Sequence, residues 1–292
     1  MRVLGFLAVV LSAVAAVEAG QAGHSSTDVA ALLGRVGARV EEFYARARTV
    51  TSTETVRFQQ LEADFRPAGL PRRLVYELRL AWDPPPDGGP PPEASVLRQL
   101  LTVNGRPPRP RDEPQCTDPK DVAPDALSML LPRNRDDYEF SLGGEARVDN
   151  RASVTIDFRS ISKETPEVEW NDDCVRVSVP GLTRGRIWID AATHDVLRMD
   201  EHLTRLLDFR TSTQIARRTG ETHMSLERYD SSIRYRTVKF EDPEETLTLP
   251  RLIETTTVWR GLGTRRNRMT QEFTDYRRFI TGARIVAADE IR

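Results

Sequence analysis

The sequence predicts a mainly β (α+β) fold: a large antiparallel sheet wrapped around one N-terminal amphipathic helix. Three observations predict it. Apolar residues recur at three and four over a long stretch near the N-terminus. From about residue 49 onward the pattern is largely period two. The connections between those runs are short and rich in Gly, Pro, Asn and Asp, which suits antiparallel pairing. With no alternation of strands and long helices, a parallel α/β sheet is not expected. The 292 residues, 39% hydrophobic at a mean hydropathy of -0.48, can bury a core but are too polar for a multispanning membrane protein. A net charge of -2 gives no global reason to expect nucleic acid as a partner.

The chain opens with Arg2, an uncharged apolar run from Val3 to Val17, and small residues around Ala19 and Gly20. This reads as a secretory signal peptide over 1–19, since the apolar run is shorter than the roughly 20 residues that span a bilayer. No later segment is apolar enough to span, so the expectation is a periplasmic or secreted protein with one domain over 20–292. From Ser26 to about Arg48, Val29, Leu32, Leu33, Val36, Val40, Phe43 and Ala47 share one helical face. Ser26 or Thr27 can cap this helix, and Asp28 suits the positive end of its dipole. Gly34 and Gly37 inside it let a sheet approach closely.

Thr49 to Leu61 and Leu74 to Trp82 read as strands, the second placing Leu74, Tyr76, Leu78, Leu80 and Trp82 on one side. Prolines then keep 83–93 out of any ladder. Val96 to Val103 resumes a strand, Asn104-Gly105 turns, and a second proline-rich loop covers 106–120. Pro124 to Leu131 reads as a short helix stopped by Pro132. Further strands follow at Tyr138 to Leu142, Ala152 to Arg159, Val175 to Val179, Arg186 to Asp190, Val196 to Leu203, Ser232 to Phe240, Leu252 to Trp259 and Met269 to Phe279. Gly143-Gly144, Pro180-Gly181, 191–195, Asp242-Pro243 and 261–263 punctuate them.

The residues name no reaction. His24, His194, His202 and His223 have no metal-ligand spacing, and the acidic runs lack a glycine-bearing calcium loop. There is no Gly-X-Ser-X-Gly elbow, and Gly261-Leu262-Gly263 is too short for a phosphate cradle. No cofactor is expected. Two cysteines, Cys116 and Cys174, invite a disulfide in an oxidising compartment, with two free thiols as the alternative. Almost all positive charge is arginine. The clusters Arg217-Arg218, Arg265-Arg266 with Arg268, and Arg277-Arg278 are read as solvated strand faces.

Gly185 to Asp200 is a hairpin with Ile187 and Ile189 on one face, Trp188 on the other, and a turn over 190–195. Its Gly-Arg-Ile-Trp-Ile-Asp followed by a Thr-containing turn and Val-Leu-Arg resembles the hairpin of the LolA/LolB-like lipoprotein-carrier superfamily. Thr274 to Phe279 is similar to the closing strand of secreted bacterial proteins of that kind. The resemblance implies a curved sheet or incomplete barrel whose apolar concavity accepts acyl chains without a covalent cofactor. Strand phase then nominates Tyr76, Leu78, Leu80, Trp82, Ile187, Ile189, Ile233, Tyr235 and Phe273 as cavity liners, positions that are more often plain core. The leading expectation is a non-enzymatic envelope protein that binds a lipid or lipoprotein acyl chain. An interaction module for another envelope protein, docking through sheet edges or proline-rich loops, is the first alternative. A secreted hydrolase with a dispersed site is the second.

Overall fold

The computed structural model describes residues 26–47, 50–81, 95–112, 123–171, 174–241, 244–261 and 263–278. The expected signal segment, Trp82, the 83–93 loop, Cys116 and most of its loop, the Asp242-Pro243 turn and Phe279 lie outside them.

Helix α1 runs Ser26–Arg46 and buries Leu32, Leu33, Val36, Val40 and Phe43, the face its periodicity marks. It stops two residues before the expected Arg48. Gly34 meets nothing, and the close approach at Gly37 comes from Leu130 and Arg135 rather than from a sheet. A Cβ there would overlap the Arg135 guanidinium, which donates to the Leu33 and Leu130 carbonyls and so ties the helix to the following layer.

Thirteen strands follow among the described residues. They are β1 (Val50–Leu61), β2 (Pro67–Ala81), β3 (Ser95–Val103), β4 (Tyr138–Val148), β5 (Arg151–Ser160), β6 (Glu167–Asn171) and β7 (Cys174–Ser178). Then come β8 (Thr183–Asp190), β9 (Val196–Leu203), β10 (Leu207–Arg210), β11 (His223–Glu241), β12 (Glu244–Arg260) and β13 (Arg265–Arg278), with a short helix α2 (Thr213–Thr219) before β11. Eleven strands form one antiparallel sheet in the order β3-β2-β1-β13-β12-β11-β9-β8-β5-β4, with β10 on β11 and with β6–β7 as a separate hairpin. The path has two ends and is not closed, so β3 and β4 are edges.

Several strands outrun their sequence signals. Gly143-Gly144 does not end a strand: β4 continues to Val148 through a register shift at Leu142/Gly144, where Gly144 takes φ 101°. β11 and β12 begin far before Ser232 and Leu252, and Pro250 is carried inside β12 at the register shift opposite Arg234/Tyr235. The short helix does end ahead of Pro132, at Leu130, but its form differs from the expectation. Ala123–Leu130 is a 3-10 segment, and Pro132 opens a second one over Pro132–Asp137, its missing N–H falling where none is needed.

The main core lies between α1, the first 3-10 segment and the inward faces of β5, β8, β9, β11, β12 and β13. A smaller cluster of Val56, Leu74, Tyr76 and Val103 fills the β1–β2–β3 flank. Beside it Glu54 is 0% exposed, with Arg98 Nε at 2.7 Å and Gln271 Nε2 at 2.8 Å. These bonds satisfy the buried carboxylate and fasten edge strand β3 to β1 and β13.

Candidate functional site

The β8–β9 turn is organised by one side chain. Asp190, at the end of β8, accepts from the Ala192 N–H at 2.9 Å, the Thr193 N–H at 2.8 Å, the Thr193 hydroxyl at 3.2 Å and Arg151 Nε at 2.8 Å. Burial by itself would raise the Asp190 pKa. The Thr193 and Ala192 amides and the Arg151 guanidinium outweigh it and hold the carboxyl below the usual carboxylate range. The backbone closes through Asp190 N–H to Asp195 O, at 2.9 Å, with His194 in the left-handed region at φ 62°.

That turn holds α1. Arg35 Nε donates to His194 Nε2 at 3.0 Å, which requires that nitrogen to be unprotonated. Arg39 donates to Asp195 Oδ1 through Nε at 3.1 Å and Nη2 at 2.9 Å, and pairs with Glu42 on its own helix.

Between the N-terminal half of α1, the β4–β5 hairpin and this turn lies a cleft of about 440 Å³. Its walls are apolar: Leu32 from α1, Leu142 from β4, Val154 from β5 and Ile189 from β8. Asp28, Arg35, Glu145, Asp190 and His194 supply the polar part of its lining, with Asp28, Arg35 and Glu145 exposed and Asp190 buried. Such a site takes an apolar chain inward and leaves a polar head at the mouth. Asp190 is poorly suited to abstracting a proton, because four donors already occupy its acceptor sites and its basicity is depressed. Elsewhere on the sheet, burial raises the pKa of Glu201, although the Thr183 hydroxyl partly offsets this.

Six of the nine nominated liners, Leu78, Ile187, Ile189, Ile233, Tyr235 and Phe273, sit in the main core, each 6% exposed or less. Ile189 alone among them borders the cleft. Tyr235 borders a separate gap of about 30 Å³ beside Arg39 and Phe43. Its buried hydroxyl has no hydrogen-bond partner among the described residues, and burial pushes the phenol pKa well up. Tyr76 belongs to the smaller cluster. Leu80 lies in β2 but its side chain is not described, and Trp82 is outside the described residues. Sequence reasoning did not nominate Leu142 and Val154, although they continue the Tyr138–Phe140–Leu142 alternation of β4 and the Val154–Ile156–Phe158 alternation of β5. Cys174 opens β7, far along the chain from its expected partner Cys116. Among the described residues, no three metal-ligating side chains come together, and no helix is long and apolar enough to cross a membrane.

No protein-family model matches the chain, and no curated protein matches it. Among solved structures it is similar to a DUF1329 family protein from Desulfovibrio piger, at 12% identity over 87% of this chain and 94% of that one, with a TM-score of 0.41. It is also similar to a LolA superfamily protein from Nitrosomonas europaea, at 10% identity over 84% of this chain and 92% of that one, with a TM-score of 0.35.

Proposed function

We propose that the protein is an exported, non-enzymatic envelope protein that binds an apolar ligand, a lipid or lipoprotein acyl chain, in the cleft beside α1. One observation carries this reading. The cleft has about 440 Å³ behind apolar walls and a charged mouth, within the roughly 300–1,000 Å³ of small-ligand sites. Ile189 touches the ligand in this reading. Leu78, Ile187, Ile233, Tyr235 and Phe273 form a floor that a longer chain reaches only if α1 lifts from its contacts with His194 and Asp195. Tyr76 packs on the far flank, and Leu80 and Trp82 stay nominated as liners. The reading includes export through the 1–19 segment to the periplasm or beyond, a single domain over 20–292, and a bridge between Cys116 and Cys174.

The test is to purify the exported protein without detergent and compare native with denaturing mass spectra. Release of a near-stoichiometric lipid mass supports the reading. An apo mass that persists after incubation with lipid vesicles overturns it, and Leu142→Trp, which fills the cleft, is expected to abolish loading. A two-dalton deficit in the denaturing spectrum reports the disulfide. The close packing of the nominated liners favours a second reading, a protein-interaction module, which an apo result would leave ahead.

A further inference from the structure

At the end of the sheet where the β1–β2 and β12–β13 connections lie, arginines gather without counter-charges. Arg57 of β1 is the direct cross-strand partner of Arg73 of β2. Arg266 and Arg268 of β13 stand opposite Leu61 and Gln59, with Arg265 one residue before. None of these five forms an ion pair with a described residue. The acids of this end are largely taken: Asp64 by Arg66 at 3.1 Å, Glu227 by Arg260, and Asp230 by His202 and Arg228, leaving Glu62. Like charges placed directly across a ladder are unfavourable.

The same end presents an apolar side chain to solvent. Opposite Gln59 the ladder shifts register, and β2 bulges at Gly69-Leu70-Pro71. Gly69 takes φ 68°, and Gln59 Nε2 donates to the carbonyls of Ala68 at 3.0 Å and Gly69 at 3.3 Å, so the bulge is held in place. Leu70 is 97% exposed at its tip. Nearby Phe65, at φ 65° in the β1–β2 connection, lies under Arg228 at 5.0 Å and Arg266 at 5.9 Å, which ties that connection to β11 and β13.

We propose that this end of the sheet docks on the anionic face of a lipid bilayer, with Arg57, Arg73, Arg265, Arg266 and Arg268 meeting headgroup phosphates and Leu70 entering the acyl boundary. A guanidinium fork matches phosphate geometry, and an anionic surface relieves the repulsion between Arg57 and Arg73. Leu70 selects the bilayer over a soluble polyanion. A polyanion would use the arginines and leave the leucine in water, whereas an interface takes both a basic rim and an apolar tip. The proposal is independent of what the cleft binds.

The test is flotation of the purified protein with phosphatidylglycerol-containing and with pure phosphatidylcholine vesicles, at low and high salt. Binding to the anionic vesicles alone, weakened by salt, is expected. Removal of one arginine is expected to lower partitioning about fivefold, so Arg57→Gln with Arg73→Gln lowers it roughly 25-fold. Leu70→Ser is expected to lower it about tenfold without changing its salt dependence. Arg159→Gln with Arg186→Gln, which removes the same charge from the opposite flank, is expected to leave it unchanged. A Leu70→Trp protein reads insertion directly, as a blue shift in emission that the parent does not show. Equal binding to neutral vesicles, equal loss in the Arg159/Arg186 control, or vesicle binding that Leu70→Ser leaves intact while inorganic polyphosphate competes for it would each overturn the proposal. Thermal melts of every variant separate lost docking from lost folding.

Discussion

On the β4–β5–β8–β9 flank three outward arginines meet carboxylates: Arg159 Nη2 lies 2.9 Å from Glu139, Arg186 Nε 2.5 Å from Asp157, and Arg198 Nη2 2.6 Å from Asp200. On the β1–β2–β13 flank, ladders of the same antiparallel type set Arg57 against Arg73 and Arg268 against Gln59. Period-two alternation decides which residues point outward in both places, but the register decides what they face. Exposed pairs contribute about 0–1 kcal/mol each, so the contrast says little about stability. It concerns which surface has its charge satisfied internally and which leaves it available to something outside.

The largest effect expected lies beneath the arginine-rich flank. Glu54→Ala leaves Arg98 charged and nearly enclosed, and is expected to cost about 3–5 kcal/mol in urea unfolding. Glu54→Gln combined with Arg98→Met should recover much of that loss. A single-variant loss below about 1 kcal/mol would mean that this flank does not depend on its buried pair. On the paired flank, Gly185→Ala drives a Cβ into the Asp200 carbonyl and the Phe158 ring, for an expected loss of about 1–3 kcal/mol.

A smaller effect distinguishes the flanks by pH. The folded-state pKa of Asp190 is depressed, so its contribution is present above the usual carboxylate pKa of about 4 and is lost as pH falls through the lower folded value. Asp190→Asn is expected to lower stability at neutral pH by about 1–2 kcal/mol and to flatten the acid limb of the stability curve. An unchanged acid limb would show that Asp190 does not carry it. The smallest effect is expected at Arg57→Gln with Arg73→Gln, which should leave stability within about 0.5 kcal/mol of the parent or raise it slightly. A marked loss there would mean that the two guanidinium groups have partners after all, and the contrast between flanks would fail.

What the sequence made legible follows from periodicity and turn chemistry. The face of α1, the Asn104-Gly105 turn, at φ 49° and 80°, and the Gly185–Asp200 hairpin with Ile187 and Ile189 inward could be read residue by residue. Places where the backbone departs from strict alternation could not. The glycines at 143–144 look like a turn but serve as a bulge, and this hid the continuation of β4 to Val148. Pro250 likewise concealed the true length of β12. The short strands β6 and β10 and helix α2 gave no signal long enough to detect. Strand phase could nominate inward residues, but not tell a filled core from an open cleft, because that depends on how α1 lies across the sheet. The Glu54–Arg98–Gln271 group was also hidden: its members are 44 and 217 residues apart in the chain.

The position of β13 bears on how the molecule is assembled. This last described strand lies between β1 and β12, in the interior of the sheet order. Until residues 265–278 have emerged, β3-β2-β1 has no hydrogen-bonded link to the strands from β12 to β4, and the two pieces remain separate ladders with open edges. Formation of the sheet therefore waits on contacts between the two ends of the chain, such as Val50 with Arg278. Such long-range closure is slow. The central seam of the sheet therefore cannot form until residues 265–278 are available to pair with β1 and β12.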